Sequence, residues 1–76
     1  MDLELFLQQA FRHVAGYMTN INSVKTIIEE IVEEATSVEE TITLLTARLK
    51  TVDVTVQTDI QILINEVKHL QSKGEL

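Results

Sequence analysis

Few side chains in this sequence are of types that could do chemistry: His13, His69, Ser23, Ser37, Ser72 and a set of carboxylates. Glu66-Val67-Lys68-His69 puts a carboxylate and an imidazole three positions apart, on one face of a helix, as carboxylate-bridged metal bundles do. Those centres need two such motifs and two further inward glutamates. Here Val67 and Leu70 take the apolar positions and leave Glu66 and His69 at the rim, so a solvated pair near a helix end is the expected role. A metal-dependent helical enzyme is the remotest reading, and His13 is expected at a rim position too.

The chain has no cysteine, which removes thiol catalysis, disulfides and zinc-thiolate sites together. None of the serines lies in a Gly-x-Ser-x-Gly setting, and two isolated glycines, Gly16 and Gly74, cannot form a phosphate loop or dinucleotide fingerprint. The expectation is therefore no enzyme: no catalytic residue, no cofactor and no metal. The function has to come from how the chain packs.

Its 76 residues make one domain at most, and a lone core in so short a chain supplies only about 3–5 kcal/mol. Hydrophobic residues are 45% of the total, with no proline and no tryptophan. A β-sandwich or α/β enzyme needs frequent Gly/Pro turns, and a disordered tail lacks this much Ile, Leu and Val. An all-α fold is left. No apolar run approaches a membrane span, and Met1-Asp2-Leu3-Glu4 has no basic leader region, so a cytoplasmic location is expected. Lys73-Gly74-Glu75-Leu76 resembles an endoplasmic-reticulum retention tail and is discounted for want of an entry signal.

The formal charge is −6, and the six basic residues are scattered, so nucleic acid is disfavoured as a partner. A membrane surface is disfavoured as well: residues 1–18 carry only Arg12 as a fixed positive charge. Glu29, Glu30, Glu33, Glu34, Glu39 and Glu40 crowd the middle, as a solvated helix face or an acidic docking patch.

Periodicity is the strongest signal. Stepping by seven from Leu7 meets Val14, Ile21, Ile28, Ala35, Ile42, Leu49 and Val56; stepping from Leu3 meets Ala10, Tyr17, Val24, Ile31, Val38, Leu45 and Val52. None is charged, and such a series predicts helices wound around one another along a seam. The seam continues through Ile60, Leu63, Val67 and Leu70 after a stutter near 56–60, where two successive steps of four occur. Thr51 to Val56 alternates like a strand, but the register on both sides favours helix.

Asp2 can cap the helical start, and Gly74 follows a basic last turn. Uninterrupted, the helix would be about 110 Å long, and such a rod must associate with others to cover its stripe. Ile and Val occur at both seam positions, which favours three or four strands over two. The expected fold is thus a long coiled-coil helix over residues 1–76, a parallel trimer or tetramer, although the flanking charges are too sparse to dictate orientation. The alternative uses Ser37-x-x-Glu40 as a capping box: residues 2–35 and 38–73 become a helical hairpin that forms a four-helix bundle with a partner.

Two functions follow. The first is a self-associating scaffold or spacer, a homotrimer or homotetramer held by Leu7, Val14, Tyr17, Ile21, Val24, Ile28, Ile31, Val38, Ile42, Leu45, Leu49, Val52, Val56, Ile60, Leu63 and Val67. Phe6, Phe11 and Tyr17 make a thicker core at one end or a partner-binding surface there. The second is a small acidic adaptor or regulatory subunit that binds another helical protein by completing a bundle.

Overall fold

Asp2 opens the first helix by accepting the Glu4 N–H on its Oδ1 at 3.0 Å, a side-chain cap for a donor the helix itself leaves unpaired. This computed structural model describes residues 2–74, and among them four α-helices and no strand are found. They are α1, Leu3–Val14; α2, Ile21–Glu34; α3, Val38–Arg48; and α4, Val54–Ser72. A 3-10 turn, Ala15–Tyr17, follows α1. At the far end Gly74 takes φ +76°, where its missing Cβ removes the penalty, and its N–H bonds the Gln71 carbonyl at 3.0 Å. Of the Lys73–Leu76 tail, residues 75 and 76 lie outside the described residues.

The single long coiled-coil helix expected from the seam is corrected by this architecture: the molecule is a compact helical bundle built from one chain. Its Cα radius of gyration is 11.1 Å and its extents are 31 × 24 × 17 Å, against a rod of about 110 Å. A folded chain of this length is expected near ~11 Å.

A rod and a bundle of short helices share one sequence pattern for a physical reason. A 3.5-residue repeat drifts from the 3.6-residue α-helix by only about 20° per heptad, so helices this short show the same spacing in a rod or a bundle. Glycine and proline were the missing turn signals, but these turns need neither. Ala35, at φ −79° and ψ 141°, and Ser37, at φ −151° and ψ 165°, turn the chain in extended conformations open to any residue. No non-glycine described residue has positive φ.

The break at 35–37 is capped on both sides. Ser37 Oγ accepts the Glu40 N–H at 3.1 Å, while Glu40 Oε1 accepts the Thr36 N–H at 2.7 Å. The carboxylate thus reaches one residue beyond the usual capping-box partner. Thr51 to Asp53 is neither strand nor helix but part of the 49–53 connection, and Val54 opens α4. The stutter near 56–60 falls just past that connection, where a new helix sets its own register.

Helix α4 lies against the other three, burying Val56, Ile60, Leu63, Ile64, Val67 and Leu70. Around it pack Phe6, Leu7, Ala10 and Val14 from α1, Val24, Ile27, Ile28 and Ile31 from α2, and Val38 and Leu45 from α3. Thr41 is wholly buried in this core and donates its hydroxyl to the Ser37 carbonyl at 2.9 Å, which removes the desolvation penalty. No helix among the described residues is long and apolar enough to cross a membrane.

Candidate functional site

Two features of the bundle need more than packing to explain them. The first is Asp59, a carboxylate only 1% exposed on α4. Its Oδ2 accepts the Asn20 N–H at 2.6 Å and the Thr19 N–H at 3.1 Å, and its Oδ1 accepts the Thr19 N–H at 3.2 Å. Asn20 occupies the N-cap of α2 but makes no cap bond with its own side chain. Asp59 therefore caps α2 from another helix and places a negative charge at the positive end of its dipole. This ties the start of α2 to α4.

The second is the groove that α1 and α2 leave between them, about 420 Å³. Phe11 on α1 and Ile28 on α2 give it apolar surface, with Ile21 at one end. Phe11 is half-buried and Ile21 is 42% exposed, so neither is fully covered by the chain itself. Gln8 and Arg12 form one rim; Asn22, Lys25 and Glu29 form the other. Leu5, 62% exposed, shares a face of α1 with Gln8 and Arg12 at i, i+3 and i+7. Ile21 to Glu29 rises about 12 Å, enough for two turns of a helix lying alongside.

Comparison of the chain with protein-family models, with curated proteins and with solved structures finds no match.

A larger depression, about 560 Å³, lies between the end of α3 and α4. Its neutral polar side chains are already engaged, Gln57 donating to the Leu49 carbonyl at 2.7 Å, Gln61 to Asn65 at 3.3 Å, and Thr58 to the Val54 carbonyl at 3.3 Å, and Lys50 is its single cation. A third, about 470 Å³, lies between α2 and the 49–53 connection, and Glu30 on its edge is paired with Arg48 at 2.7 Å. The α1–α2 groove differs by setting a cation on each of its two walls beside the half-buried ring of Phe11. Among the described residues neither Arg12 nor Lys25 is in an ion pair.

The residues expected to form an intermolecular seam lie mostly inside the chain. Leu7, Val14, Val24, Ile28, Ile31, Val38, Leu45, Val56, Ile60, Leu63 and Val67 are buried, and Ile42, Leu49 and Val52 are half-buried. Tyr17 and Ile21 are exposed, at 77% and 42%, because they sit in and just after the α1–α2 connection. The aromatics separate: Phe6 is core at 2% exposure, Phe11 lines the groove, and Tyr17 faces solvent. Glu66 is paired not with His69 but with His13 across α1 and α4, at 2.8 Å. The imidazole of His69, exposed near the end of α4, is in no ion pair among the described residues. No group of three or more metal-ligating side chains occurs among the described residues.

Asp59 is the residue the sequence reading missed, and a signal for it existed. One further step of seven from Val52 lands on Asp59. A charge on the seam reads as loss of register, whereas here it marks a buried acceptor with backbone donors to satisfy.

Proposed function

We propose that the chain is a non-enzymatic protein-interaction module, a small acidic adaptor that takes a helix of another protein into the α1–α2 groove. The observation that carries this reading is the groove itself: Phe11 and Ile21, both partly uncovered, beside the buried Ile28 between two helices, in a bundle whose remaining stripe is mostly packed inward. Helix-in-groove recognition uses such a surface, with the partner supplying apolar anchors at i, i+3 or i+4 and i+7. The self-associating spacer draws less support, because the stripe that would join copies packs within one chain.

Isotope-edited NMR tests it directly. A synthetic amphipathic helix roughly five turns long, with leucine anchors and glutamine elsewhere, is titrated into the labelled protein. Shifts concentrated on the amides of Gln8 to Arg12 and Ile21 to Glu29 are expected. Absence of shifts at millimolar peptide, or shifts confined to α3 and α4, rejects the reading.

A further inference from the structure

The groove also carries a sign. The chain holds 12 acidic residues against 6 basic ones, so a cation on its surface has many potential internal partners. Arg48 takes one, Glu30. Arg12, Lys25, Lys50, Lys68 and Lys73 take none among the described residues, and of these Arg12 and Lys25 line one groove together, with Glu29 one turn beyond Lys25 on the same helix. Lysine preceding glutamate at i, i+4 is the weaker order for such a pair. The two cations stand on opposite walls of the groove, beside Ile21 and Phe11, while Glu29 lies further along α2.

We propose that the occupant of the α1–α2 groove is an acidic amphipathic helix, whose carboxylates are gripped by Arg12 from one wall and Lys25 from the other. This rests on the adaptor reading and adds the partner's charge. The net charge of −6 repels such a helix over the surface as a whole, and the groove offsets that repulsion with two cations on opposite walls beside apolar side chains. Glu29 sets the polarity: the partner's acidic residues lie toward the Arg12 and Ile21 end, and the stretch beside Glu29 is uncharged or basic. Opposite charge across a rim acts mainly on selectivity and encounter rate.

The test compares three peptides with identical leucine anchors and with glutamate, glutamine or lysine at the flanking positions, each titrated into the whole protein at low and high salt. The glutamate peptide is expected to bind about 2- to 30-fold more tightly than the glutamine peptide, the range two exposed ion pairs can supply. The lysine peptide is expected to be weakest, and the order should collapse near 1 M salt, where screening reaches about 3 Å. A double variant, Arg12→Glu with Lys25→Glu, should reverse the order; Arg12→Gln with Lys25→Gln should flatten it. Both positions are exposed, and far-UV circular dichroism confirms that each variant is folded. Equal binding of all three peptides at the groove, or preference for lysine, overturns the charge assignment and leaves the adaptor reading standing. If no peptide moves the groove amides, both fall. Concentration-dependent shifts there without peptide assign the groove to a second copy, and also overturn the proposal.

Discussion

Asp59 accepts three backbone hydrogen bonds while almost wholly buried, so removing its carboxylate leaves the Thr19 and Asn20 donors without their acceptor. Bonds to a charged group are the strong ones, and Asp59→Ala is expected to lower stability by about 2–3 kcal/mol. Asp59→Asn keeps one acceptor oxygen and should lose less. Urea titration followed by circular dichroism checks both, and an unmoved midpoint for the alanine variant would mean that water replaces the cap at no penalty. Ser37 makes a single exposed cap bond, so Ser37→Ala should cost about 1 kcal/mol and Ser37→Gly only a few tenths. In a domain of this size, 1 kcal/mol is roughly 4–8 °C in Tm, within reach of calorimetry. The His13–Glu66 pair is more open, with His13 at 45% exposure, and Glu66→Gln should change stability by less than about 1 kcal/mol. Chemical denaturation showing a larger loss would give that pair a structural weight its exposure argues against.

At the scale of the elements, α4 carries the bundle. Leu63 is wholly buried at its centre, and Leu63→Ala should remove about 2–5 kcal/mol. That is comparable to the roughly 3–5 kcal/mol available to a chain this short, so the variant should lose most of its far-UV helix signal at 25 °C. Val54, 75% exposed at the start of the same helix, should tolerate alanine within about 0.5 kcal/mol. Retained helicity in the Leu63 variant would place the core elsewhere. The buried face of each helix was legible in the sequence: of the seam residues, only Tyr17 and Ile21 are exposed. What the stripe covers was not legible, since a helix facing its own chain and one facing a neighbour need the same side chains. Nor was the groove, because Phe11, Ile21 and Ile28 come together only when α1 and α2 lie side by side. The Ser37 cap could be read because its partner is three residues away, whereas Asp59 caps across 39 residues.

For the whole molecule, packing the stripe inward predicts a single-chain mass of 8.6 kDa at micromolar concentration. Light scattering with small-angle scattering checks it: a particle a few tens of ångströms across fits the bundle, and a mass of three or four chains with a maximum dimension near ~110 Å would restore the rod. The tie from α4 to the entry of α2 has a further consequence for how the chain is made. Asp59 is synthesised 39 residues after Asn20. On a ribosome adding about 5–20 residues per second, that is a wait on the order of 2–8 s. Through that interval the first two helices are made without the contact that ties the start of α2 to α4, so the groove between them takes its final form only after α4 is made. Stalled nascent chains halted upstream of Asp59 should therefore fail to hold a partner helix that the released protein binds.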